Sequence, residues 1–320
     1  MIRQSQFDVT NTVDVSNHNA VSETVCAMLR ELYPDCSTGR IEQGFQDLAD
    51  LYMGKMPGFL PADMPYHDLQ HCLDVTLAMA RLLYGYETNA AIKAPFGFDI
   101  LQVGIITALF HDSGYICRTE DECQRGAEYT RIHVSRSAQF LSSYLANNGM
   151  GEWVDMAKEI VHFTGYEMKV AEIQVASLAF FKLGSMLGTA DLIAQMADRC
   201  YLEKCRDRLY EEFVLAGIAS RGEDGDNSQA VYHSATELLM KTPAFIRSIF
   251  DKRLSYEFGN VYHYAMYCFD DRRNPYLEEI EKSVSYLEML VQRQDFSSLR
   301  RKPLWTLSFS EEEICPYRQL

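Results

Sequence analysis

Apolar residues along this chain recur at three- and four-residue intervals nearly everywhere, and no stretch of alternating, β-branched residues flanked by turn signals stands out. The expected fold is all-α. The pattern predicts helices over 21–33, 40–53, 67–84, 98–112, 132–146, 152–163, 171–187, 189–215, 229–254 and 276–296. Val134, Ala138, Leu141 and Leu145 form one stripe at i, i+4, i+7, i+11, the mark of a helix with one buried face. The run from Leu101 to Phe110 is apolar on nearly all sides, which suits a central helix surrounded by others.

Breaks are expected at Met56 to Pro65, Lys93 to Gly97, Arg118 to Gly126 and Ser220 to Ser228, where Gly, Pro and polar residues cluster. The last is the clearest boundary. With the first, it divides the chain into an N-terminal polar segment with flanking helices (1–60), a central unit (61–219) and C-terminal helices packed on it (220–320). The tail after Arg300 has weak periodicity.

Composition narrows the functional classes. The 320 residues are 47% hydrophobic, enough for a substantial core. A formal net charge of -15 disfavours a nucleic-acid polymer, because phosphate backbones demand clustered Lys and Arg. The amino terminus has no apolar leader, and the longest apolar runs are too short for a bilayer, so neither a secretory signal nor a membrane span is expected. Nine cysteines without a CxxC pair point to free thiols and a cytoplasmic location.

Three short segments carry candidate chemistry. In PYHDLQHCLDV, His67, His71 and Asp74 are spaced i, i+4, i+7 and would share a helix face. In TALFHDSGY, an apolar helix ends in His111 and Asp112, where burial is costly unless a metal or counter-charge compensates. A core histidine with a capping Asp reads the same way. In LGTADLIAQMAD, Asp191, Gln195 and Asp198 share a face, with Asp191 expected near a helix start, where an acid also suits the macrodipole. Together these residues offer the imidazole nitrogen and carboxylate oxygen that suit Zn, Mn, Fe, Co or Ni, with Mg where carboxylates and water predominate.

The order His, His-Asp, Asp on successive helices resembles the HD superfamily of metal-dependent phosphohydrolases. Tyr66-His67 through Asp74-Val75, YHDLQHCLDV, resembles the YHNxxHxxDV signature of the cyclic nucleotide phosphodiesterases. The resemblance covers about Pro65 to Asp198. It implies an HD-domain, phosphodiesterase-like helical bundle with additional N- and C-terminal helices. It also implies metal ligation by His71, His111, Asp112 and Asp191, with Asp112 able to bridge to a second ion. His67 becomes the proton donor to the leaving oxygen, and Asp74 supports a ligand from behind. His133 and His162 complete an order similar to that of binuclear HD proteins, so two divalent ions are expected. Tyr66, Gln195 and Arg131 are the remaining candidates for substrate or supporting contacts.

The chain departs from the phosphodiesterase pattern in three places. Asp68 replaces Asn, Tyr115 stands where a further histidine is expected, and the C-terminal third shows no purine-binding glutamine and aromatic clamp. Tyr262, Tyr264 and Phe269 are candidate pocket walls, and Lys182, Arg199 and Lys204 are weaker phosphate candidates. The expected activity is hydrolysis of a nucleotide-type or other small phosphoester. A di-iron oxygenase on the HD scaffold and a nucleotide-binding regulatory module without turnover stand as alternatives.

Overall fold

A computed structural model describes residues 3–122, 125–221 and 230–304. Helices account for the regular structure, and among the described residues there is no sheet, only three isolated bridges. Among the described residues no helix is long and apolar enough to cross a membrane. Cys26, Cys36, Cys72, Cys200, Cys205 and Cys268 are free thiols.

Three helices make the centre: α3 (Leu69–Thr88), α4 (Phe98–Leu109) and α7 (Leu178–Ala197). Each packs against the other two. From Leu69 to Leu83 every residue of α3 is buried, as is every residue of α4 from Leu101 to Leu109, so the central position expected for one helix is shared. Helices α1 (His18–Leu32) and α2 (Gly39–Tyr52) pack against each other and cover α3 and α4. Helices α5 (His133–Asn147) and α6 (Val154–Val161) form a second pair, with α6 against α4 and α7. Burial follows the expected stripe on α5: Val134, Ala138, Leu141 and Leu145 are all inside.

After α7 come α8 (Tyr201–Lys204), a π-helical turn (Cys205–Leu209) and α9 (Tyr210–Leu215). Helix α10 (Ala235–Ser248) runs on into π-helical Ile249–Glu257. A 3-10 segment (Val261–Cys268) packs on α3 and α7, and α11 (Pro275–Arg293) packs on α7. One cluster of buried apolar side chains joins Val9, Leu73 and Leu290.

The structure differs from the expected elements in instructive places. The expected break at Gly188 is absent, and α7 runs through it. That glycine serves close packing instead: a Cβ there would lie 2.4 Å from the Phe163 carbonyl oxygen and 2.8 Å from the Phe258 ring. Asp191 therefore sits well inside a helix rather than near its start. The true end of α7 is Asp198, whose carboxylate pairs with Lys204 at 2.6 Å, so Lys204 is not free for a phosphate. The expected boundary at 220–228 falls largely outside the described residues, and the tail is described only to 304.

Candidate metal centre

His67 does not belong to α3, contrary to the shared-face expectation. The helix begins at Leu69, and Asp68 is its N-cap, accepting the His71 N–H on Oδ1 at 3.0 Å. Asp68 Oδ2 meets Arg208 at 3.3 Å, an ion pair between two nearly inaccessible side chains. His71 is thus set in the first turn of α3 by a cap that is itself held from the π-helical turn.

His71, His111, Asp112 and Asp191 converge in the interior. His71 Nε2 lies 3.4 Å from Asp112 Oδ2 and 3.3 Å from Asp191 Oδ1. His111 Nε2 lies 3.3 Å from Asp112 Oδ2 and 3.9 Å from Asp191 Oδ1. These separations are close to the roughly 3 Å between neighbouring donors that share an ion at 2.0–2.2 Å. The ligand atoms of His71, His111 and Asp191 all lie within 4.8 Å of one another, as do those of Cys72, His111 and Asp112, so two buried groups overlap at His111.

The second group is incomplete as a metal site in its own right. The Cys72 thiol contacts the Tyr52 hydroxyl at 3.0 Å, and burial keeps its pKa well above the usual thiol range.

Backbone carbonyls set the imidazoles. His111 Nδ1 lies 2.8 Å from the Ala108 oxygen, and His133 Nδ1 lies 2.8 Å from the Thr130 oxygen. A carbonyl can only accept, so each Nδ1 carries the hydrogen and each Nε2 presents a lone pair. His111 Nε2 and Asp112 Oδ2 are buried and have no hydrogen-bond partner. Two orphaned lone-pair acceptors 3.3 Å apart are what a cation between them would satisfy.

Electrostatics agree with the geometry. Burial alone would lower the His71 pKa, yet the Asp112 and Asp191 carboxylates push it up to about 10. Burial likewise opposes ionisation of Asp112, but the imidazoles of His111 and His71 hold its carboxyl well below the usual range. The cluster draws positive charge to one point. The donor set therefore fits a divalent ion.

Asp112 faces two ways. Oδ2 points to His71 and His111, while Oδ1 lies 3.7 Å from His133 Nε2. Gly114 makes that approach possible. A Cβ on it would fall 1.8 Å from the His133 carbonyl oxygen, so only glycine lets the start of α5 come this near the HDSGY turn. Tyr115 is sandwiched, stacking on His67 at 4.6 Å and on His133 at 4.2 Å between ring centroids. His162 caps the C-terminus of α6, with a buried Nδ1 that has no partner, and the following residues Thr164 to Glu167 line the cavity described below.

The supporting residues divide. Gln195 accepts from the Tyr66 hydroxyl at 3.0 Å and donates to Asp191 Oδ1 at 3.3 Å, so it fixes the Asp191 carboxylate. Asp74 lies behind His71 in a void of about 10 Å³, room for one water, lined also by Gln70, Asp198 and Lys204. Its Oδ1 has no partner, and burial with the nearby Asp198 charge raises its pKa to about 7. Arg131 is exposed at the wall of the larger cavity.

Other expected contacts do not form. Lys182 sits over the Tyr86 ring, and Tyr264 packs edge-on to the same ring. Phe269 lies under Arg81, and neither Tyr262, Tyr264 nor Phe269 lines the cavity at the cluster. These aromatics belong to the packing of the 261–269 segment on α3.

Glu212 is the residue that pattern reading missed. Its Oε1 accepts the N–H groups of Tyr66 and His67 at 2.6 and 3.2 Å, and its Oε2 lies 2.6 Å from His67 Nδ1. Burial opposes the His67 charge, but Glu212 outweighs it and raises the His67 pKa. The signal available in RDRLYEEF was Arg208 and Glu212 at i, i+4, though Glu211 beside it looks identical and pairs at the surface with Arg221.

A cavity of about 610 Å³ opens onto this cluster, bordered by His67, Asp112, Tyr115, His133 and Asp191. That is within the usual range for a small-molecule site. The chain matches no family model, no curated protein and no solved structure.

Proposed function

We propose that this protein is a metal-dependent hydrolase of small phosphoesters, with His71, His111, Asp112 and Asp191 holding a divalent ion and His133 and His162 extending the set to a second. The observation that carries the reading is the pair of faces on Asp112, one toward His71 and His111 and one toward His133, at the floor of an open cavity. The order of these residues along the chain resembles that of the HD superfamily, which supports the same assignment.

A divalent ion held there supplies Lewis-acid polarisation of a phosphoryl group and activation of water. The chain's own residues supply the rest. His67 borders the cavity with Nδ1 tied to Glu212, which leaves Nε2 as the group able to deliver a proton to the departing oxygen. Glu212 raises the His67 pKa and so favours the charged imidazole, the form that can give up a proton. Tyr66 and Tyr115 pack against the His67 ring and hold its plane. Gln195 keeps Asp191 turned to the ligand cluster.

The test joins metal analysis of the purified protein to a phosphoester screen with Mg, Mn, Fe, Co, Ni and Zn. Metal-dependent release of phosphate or alcohol, abolished in Asp112→Ala, is the expected result. Full turnover in an Asp112→Ala protein would overturn the reading. Bound iron with oxygen consumption and no ester cleavage would replace it with the oxygenase.

A further inference from the structure

The helix that positions His67 has a second face. Arg208 and Glu212, at i and i+4, hold Asp68 and His67, and one position on Leu209 and Phe213, also at i and i+4, line the cavity. Leu192, Tyr201, Ile218 and Phe245 continue that apolar wall. Phe245 and Tyr166, another lining residue, are 42% and 65% exposed, so large rings face open space there.

Glu167, Gln195, Thr130 and Thr164 on the wall are already engaged. Glu167 accepts the Val134 N–H, and its carboxylate also takes the Ser135 N–H and hydroxyl. Both ends of the Gln195 amide are used within the protein, and the Thr130 and Thr164 hydroxyls donate to backbone carbonyls. Among the described lining residues, no uncommitted amide can read the hydrogen-bonding edge of a base. Among the described lining residues Arg131 carries the one guanidinium, in a chain of net charge -15, which disfavours a polyphosphate.

We propose that the site takes a phosphoester with a single phosphoryl group and an uncharged, apolar organic group, aryl or short alkyl, rather than a nucleotide. The phosphoryl group meets the metal cluster and the organic group lies against Leu209, Phe213 and Phe245. This selectivity rests on the hydrolase reading above for its chemistry and on the cavity wall for its preference.

Calorimetric titration of the metal-loaded protein with phenylphosphonate and methylphosphonate reads the preference without turnover. The phenyl compound should bind about tenfold tighter or more, because the ring buries apolar area that a methyl group does not. That ratio should fall toward one in Phe213→Ala. Phe245→Ala, at a half-exposed position, should lower it as well. Hydrolysis of phenyl phosphate and diphenyl phosphate is then compared with that of AMP and cyclic AMP. Equal affinity for the two phosphonates overturns the inference. Preferential cleavage of the nucleotides also overturns it while upholding the hydrolase reading. A phenyl preference without cleavage of any ester upholds the apolar ligand class and overturns the hydrolase reading.

Discussion

Glu212 and His67, separated by 145 positions in the chain, meet at 2.6 Å through Oε2 and Nδ1, and the same carboxylate accepts the backbone N–H of both Tyr66 and His67. One buried acid thus sets the position, the tautomer and the charge of the imidazole proposed to donate a proton. Since the protonated ring is the active form, a raised pKa extends activity to higher pH. Glu212→Gln should keep the backbone contacts but move the alkaline limb of the pH-rate profile to lower pH. At pH 8 turnover should fall by about tenfold or more, within the range that general acids contribute. A profile superimposable on the wild type would contradict the role.

The convergence of His71, His111, Asp112 and Asp191 predicts a stability effect of metal that needs no substrate. Ion at a hundredfold excess over its dissociation constant adds about 2.7 kcal/mol. In a chain of this size the melting temperature should rise by about 4 °C. A chelator should reverse the shift, and Asp191→Ala should abolish it. An unaltered metal-induced shift in Asp191→Ala would remove that residue from the ligand set.

His133 reaches Asp112 only because Gly114 has no side chain. If the second face of Asp112 holds an ion, His133→Ala should reduce the bound metal from two ions per chain to one. Gly114→Ala should do the same by displacing the start of α5, although it removes no ligand. Elemental analysis of the two variants checks both. Two ions retained in each would remove His133 from the ligand set, and one ion in the wild type would confine the centre to a single ion.

Away from the site, Asp8 ties the N-terminal segment to the core. It is fully buried, pairs with Arg81 at 2.5 Å and accepts the N–H groups of Thr12 and Val13. Asp8→Ala should cost about 3–5 kcal/mol by leaving the Arg81 charge uncompensated. Burial opposes the Asp8 charge, yet Arg81 and the backbone N–H groups hold its pKa below the usual value. Its contribution is therefore complete above the unfolded carboxyl's value of about 3.9 and is lost as pH falls through the lower folded value. In urea titrations the gap between the wild type and Asp8→Asn should be widest near neutrality and narrow below about pH 4. A gap independent of pH would deny the ion pair its role.

The local pattern determined much of this. Period-3.6 burial marked the helices, and a largely apolar run placed His111 and Asp112 in the interior, because local spacing and hydrophobic content are properties of a single segment. The ligand types were legible for the same reason: imidazoles and carboxylates at buried positions need a partner wherever they occur. Only the tertiary structure decided which partner. Gly188 reads as a helix break in sequence, yet close packing against Phe163 and Phe258 makes it a contact inside α7, which carries Asp191 to the cluster. His67 falls at helical spacing from His71, yet an N-cap at Asp68, held by Arg208, puts it outside the helix. Glu212 could not be told from Glu211 until the chain folded back on itself, because the two differ in nothing but the direction in which a distant helix turns them.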